Sequence, residues 1–137
     1  MIKSITTQLL LGSMAGFLFA GAAQAADLNG AWANDTSVCP KLFVMKNNRL
    51  SMSTNSDFYG SGFIVEGDEV RGKLASCRIV SRKADGATVQ ATAECATDIA
   101  NSTDHFELRV DSNDKLTRFF PGMTGIEMTY FRCPPMK

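Results

Sequence analysis

The chain has 137 residues, with 14 basic and 14 acidic side chains and a single histidine. Charges so balanced and interspersed exclude the basic face that a nucleic-acid binder needs. The length suits one domain around one core and is too short for two.

Residues 1–25 read as a signal peptide. Lys3 supplies the positive start, Leu9 to Ala20 form an apolar run interrupted by Gly12, Ser13 and Gly16, and Ala23-Gln24-Ala25 is a small-residue cleavage site. The sequence therefore predicts export, periplasmic or secreted, with cleavage before Ala26 and a single domain over 26–137. No cysteine stands after the apolar run at the place a lipid-anchored precursor would need one, and the run is short for a bilayer span, so no membrane anchor is expected after cleavage. Cys39, Cys77, Cys95 and Cys133 all follow the cleavage site, where thiols oxidise, and two disulfides are the expectation. The closest two cysteines are Cys77 and Cys95, and close ligand pairs are missing, so neither a zinc site nor a catalytic thiol is favoured; no cofactor is expected.

From Ala26 onward, short alternating runs are separated by turn residues at the spacing of an antiparallel meander. Gly30-Ala31-Trp32 begins the first strand. Lys41 to Lys46 and Arg49 to Ser53 flank Asn47-Asn48, a pair that tolerates positive φ and suits a hairpin. Gly62 to Glu66 and Glu69 to Ser76 flank Gly67-Asp68; in the second run Val70, Gly72 and Leu74 fall on one face, with Arg71 and Lys73 together on the outward one. Cys77 to Lys83 and Thr88 to Cys95 flank Asp85-Gly86. His105 to Val110 and Leu116 to Phe120 flank Ser112-Asn113-Asp114, and Ile126 to Cys133 closes the chain. No amphipathic helix is evident.

Eight to ten strands in so small a domain must curl, and closure removes the exposed edges. The expected fold is all-β: a small antiparallel barrel of about eight strands. A turn centred on Gly86 sets Cys77 opposite Cys95, which leaves Cys39 for Cys133, a bond joining the first strand's exit to the end of the last. The other two pairings stay open at this level. Met45, Met52 and Met128, on strands, read as core filler.

Three segments carry candidate function. Leu28-Asn29-Gly30-Ala31-Trp32-Ala33-Asn34-Asp35 resembles the opening of lipocalin and avidin barrels, in which the Trp packs across one barrel end. The avidin resemblance implies a ligand contact for Asn34, but Trp32 is the only Trp and cannot supply that family's apolar walls, so a core plug is the simpler reading. Ser53 to Phe63, with Tyr59 and Phe63 around a glycine-flanked Ser61, reads as a protein-contact loop. It resembles the Ser/Gly-rich stretch of exported inhibitors of c-type lysozyme, which are small disulfide-bonded barrels. That resemblance implies that Ser61 and a basic side chain, Arg71 or Lys73, engage the target's two catalytic carboxylates; Phe63 stands where the family has tyrosine. Phe119-Phe120-Pro121-Gly122-Met123 places apolar bulk at a barrel rim, and alternation sends one phenylalanine each way.

No catalytic set is legible. Asp104 and His105 are adjacent in sequence, which is not triad geometry, and Glu66, Asp68 and Glu69 look like a solvated turn. The expected protein is a non-enzymatic inhibitor of an exported enzyme, lysozyme first and a secreted protease next. A carrier of a small apolar ligand and an envelope domain without target are the alternatives.

Overall fold

Alternation of apolar and polar residues closes eight strands into a barrel. The computed structural model describes residues 26–56 and 61–137, so residues 1–25, which the sequence reads as a signal peptide, and Tyr59 lie outside the described residues. The strands are β1 (Gly30–Ala33), β2 (Phe43–Lys46), β3 (Arg49–Met52), β4 (Gly62–Glu66), β5 (Glu69–Arg71), β6 (Ser76–Asp85), β7 (Thr88–Ala96), β8 (Asn101–Ser112), β9 (Lys115–Phe119) and β10 (Glu127–Arg132). The closed order is β1-β10-β9-β8-β7-β6-β5-β4, every pairing antiparallel. Hairpin β2–β3 stands apart as a two-stranded sheet, so Met45, expected in the core, is exposed, while Met52 and Met128 are half-buried against core clusters.

Both disulfides form as expected, Cys39–Cys133 and Cys77–Cys95. Such bonds persist in oxidising compartments. Cys39 opens a one-turn helix, α1 (Cys39–Leu42), which replaces the expected start of the β2 run at Lys41; Pro40 suits its first turn. Helix α1 and the hairpin pack Leu42 and Phe43 beside Ile64 and Cys133. Gly62 is required there, because a β-carbon would stand 2.8 Å from the Trp32 carbonyl oxygen and 2.9 Å from the Phe43 ring.

The turns explain the register. Asn47 and Asn48 both take positive φ, as a tight hairpin demands. The turn after β6 is Gly86-Ala87 rather than Asp85-Gly86, and Asp85 pairs with Thr88. Continued regularly, that register would set Cys77 opposite Ala96. A bulge at Val80 inserts one residue, and beyond it Cys77 meets Cys95. The bulge also changes which residues face inward: Arg82 lies inside on one side of it, Ile79 and Cys77 on the other.

A second bulge falls at Asp111, between the pairs Val110↔Leu116 and Ser112↔Lys115. Its carboxylate accepts from Arg109 Nε and from Thr117 Oγ1, each at 2.7 Å. The Arg109 hydrogen bond first, then that of Thr117, holds Asp111 below the usual carboxylate range. A carboxyl with a lowered folded-state pKa favours the fold above its unfolded pKa of about 3.9, and the contribution disappears as pH falls through the folded value. Thermal unfolding followed from pH 7 to pH 2 should therefore show a shallower acid decline for Asp111→Asn than for the parent. Equal slopes would remove Asp111 from the acid response.

Trp32 closes one end. It is fully buried, its Nε1 donates to the Leu28 carbonyl at 2.9 Å, and the Arg132 guanidinium lies 4.3 Å above its ring. Arg132 also donates to the carbonyls of Asp27, Asn29 and Asn113, so one side chain fastens the segment entering β1 to the end of β10.

Candidate functional site

The residues marked out in the sequence do not form one projecting tip. Ser61 precedes β4 and is clamped to the end of β1: its N–H donates to Asn34 Oδ1 at 3.0 Å, and its carbonyl accepts from the Asn34 N–H at 3.0 Å. Asn34 is thereby a clamp between strands. Ser61 Oγ lies 3.3 Å from the Tyr130 hydroxyl, and the Phe63 ring meets Tyr130 edge-on at 4.9 Å. Ser61 and Phe63 are thus brought together by Tyr130, which sequence reasoning did not single out.

Arg71 and Lys73 do not share a strand face. Strand β5 ends at Arg71, and the Gly72 N–H donates to the Ala75 carbonyl at 2.8 Å, turning the chain before Lys73 can continue the alternation. Leu74, expected beside Val70, is consequently exposed. Arg71 is engaged with two carboxylates, Nη2 at 2.7 Å from Glu66 and Nε at 3.2 Å from Glu69, the latter without hydrogen-bond geometry. Arg49 contacts the same two acids from β3, so these charges join the outer hairpin to the barrel. Lys73 Nζ donates to the carbonyls of Ser53 and Thr54, at the other edge of the Ser/Gly-rich stretch.

Other sequence candidates resolve into structure. Asp104 and His105 project from opposite faces of β8: His105 Nδ1 lies 3.1 Å from Thr92 Oγ1, whereas Asp104 approaches the Cys77–Cys95 sulfurs. Cys77, Cys95 and Asp104 could suggest a metal cluster, but both sulfurs are in the disulfide and only a carboxylate remains. Phe119 and Phe120 do diverge, Phe119 lying beneath Arg109 and Phe120 against Arg118.

The concave feature that alternation builds is the barrel interior. Inward residues of seven strands, including Phe63, Val65, Val70, Val89, Phe106 and Leu108, surround a cavity of about 280 Å³. Gly72, Ala75 and Ala91 leave space where larger side chains would fill it. Such a volume lies at the lower edge of small-molecule sites, about 300–1,000 Å³. At about 30 Å³ per water-sized group it admits on the order of ten non-hydrogen atoms.

Its polar groups are few. Ser61 and Tyr130 contribute hydroxyls, and Arg82, Asp104 and Arg118 contribute charge. Arg82 contacts Asp68 at 3.6 Å and Asp104 accepts from Ser102 Oγ at 3.3 Å. Arg118 is held by rings, its guanidinium carbon 4.8 Å from the centre of Phe106 and 4.7 Å from that of Phe120. Its Nε is buried without a hydrogen-bond partner among the described residues. The signal for Arg118 was available in sequence, since it stands two residues beyond buried Leu116 on one strand and must share its face.

Ion-paired surface explains a larger, open groove along Glu66, Asp68, Arg78 and Glu94, in which Arg78 binds Glu94 at 2.8 Å. No family model, no curated protein and no solved structure matches the chain, so the reading of its site comes from its own geometry.

Proposed function

We propose that the protein is an exported, periplasmic or secreted, non-catalytic binding protein that holds a small, mainly apolar molecule inside its barrel. The observation supporting this reading is the interior cavity of about 280 Å³, apolar over most of its wall and bordered by Gly72, Ala75 and Ala91. Burying apolar ligand surface there supplies affinity at about 25 cal/mol per Å² before the cost of association is subtracted. Titration calorimetry with octan-1-ol, a neutral molecule of suitable size, should show one saturable site. Ala91→Phe places a ring in the cavity and should abolish that binding while leaving the β-sheet circular dichroism intact. An unaltered Ala91→Phe isotherm would move the ligand elsewhere, and no octan-1-ol binding by the parent would discard a neutral-ligand carrier.

A second reading is inhibition of an exported enzyme, c-type lysozyme first. It draws support from the barrel end where β5, β7 and β9 finish, whose connections expose Leu74, Ile99, Met123 and Ile126 near Ser61 at the start of β4. Apolar side chains grouped at one end suit a protein contact. In that reading Tyr59, Ser61 and Phe63 form the contact loop, and Arg71 or Lys73 supplies the charge. Residual lysozyme activity measured with micromolar protein is the test, and full activity would discard it.

A further inference from the structure

We infer that Arg118 is the head-group anchor of the cavity and that its ligand is a monocarboxylate with an apolar tail of about eight carbons. The inference rests on the barrel interior being a ligand site and adds the chemistry of the ligand's polar end.

A guanidinium is costly to bury and normally engages acceptors with its planar fork. Here Nε has no acceptor among the described residues, and the two phenyl rings that hold the group in place satisfy its faces rather than its N–H edges. Nε itself is buried, so a planar carboxylate would pair with the terminal N–H groups, one oxygen on each, a two-bond geometry in which such contacts are strong. The rings fix the guanidinium plane before the ligand arrives, so little side-chain freedom remains to be lost.

The neighbouring charges decide between anions. Arg82 is drawn to Asp68, and Asp104 brings negative charge to the same wall. A dianionic phosphate would face one available cation and one repelling carboxylate, whereas a monoanion balances Arg118 alone. The remaining lining is apolar apart from the Ser61 and Tyr130 hydroxyls, which suits a hydrocarbon tail better than a sugar or peptide.

Calorimetry on the oxidised protein should compare octanoate with octan-1-ol, which share an eight-carbon chain and differ at its polar end. Octanoate should bind at least about tenfold more tightly, the factor expected of one charge-assisted pair that is partly shielded from water. Arg118→Met should erase the preference for octanoate over octan-1-ol, while Arg118→Lys, with charge but no fork, should restore part of it. Equal binding of octanoate and octan-1-ol, or a preference that survives Arg118→Met, would overturn the anchor and leave the carrier intact. Failure of both compounds to bind the folded parent would overturn the two together. A measurement on the unaltered protein covers the case of an unfolded variant: bound octanoate labelled with carbon-13 at the carboxyl should titrate below its free pKa beside a guanidinium. Titration above the free value would place the head in apolar wall and overturn the anchor.

Discussion

Replacing Cys39 and Cys133 together by alanine should destabilise the protein by about 4 to 5 kcal/mol, the loop-closure value for the 94 residues they span. A domain of this size has only about 5 to 15 kcal/mol in hand, so the variant should unfold at far lower urea. The position of the bond reinforces the expectation. Strand β1 pairs with β4 at four positions but with β10 only at Trp32↔Arg132 and Ala33↔Phe131, which makes the β1–β10 contact the shorter of β1's two seams. Cys39 and Cys133 lie beside that seam, buried against Ala31 and Ala33. The double alanine variant at Cys77 and Cys95, which spans 18 residues, should lose about 3 kcal/mol. Urea midpoints for the two variants decide it: an equal or smaller loss for Cys39 and Cys133 would show that the seam holds without its bond.

Truncation of Trp32 should be nearly as severe. Trp32→Ala leaves a ring-sized void at the closed end and should cost about 3 to 5 kcal/mol. It also deprives the Leu28 carbonyl of its donor and Arg132 of the ring beneath it. Trp32→Phe retains most of the packing and should lose only about 1 to 2 kcal/mol through the missing N–H bond and the smaller ring. Circular dichroism in urea can follow all three proteins. If alanine and phenylalanine cost the same, hydrogen bonding rather than filled volume is what Trp32 provides.

Local chemistry made much of this fold legible. Asn47-Asn48 and Gly67-Asp68 announce tight turns because few residues accept their backbone angles, and Trp32 must find a core because nothing else offsets so large an apolar surface. What escaped depended on pairing with distant strands. Asn101 to Asp104 looks like a loop by composition, yet the register Ala96↔Asn101 through Ala93↔Asp104 makes it the start of β8. The alternation of Val70, Gly72 and Leu74 runs on in the sequence past the end of β5 at Arg71, and so it places Lys73 on a strand that has already ended. The same reason separates the candidate site from the sequence motif. Ser61 and Phe63 were visible as a Ser/Gly-aromatic stretch, but Tyr130, which joins them, lies on the last strand. Arg118 has the face of Leu116 written into its position, but its two phenyl neighbours come from β8 and from the exit of β9.

The extra residue at Val80 ties the alignment of β6 and β7 to the oxidation of their cysteines. Before oxidation, the Gly86-Ala87 turn alone would zip β6 and β7 without interruption, pairing Cys77 with Ala96 and Arg78 with Cys95, and turning Arg78 towards the interior in place of Ile79. The sulfurs can meet only in the bulged alignment. Oxidation of this hairpin is therefore a choice between two alignments as well as a crosslink: the bond captures the one that sends Ile79 inward.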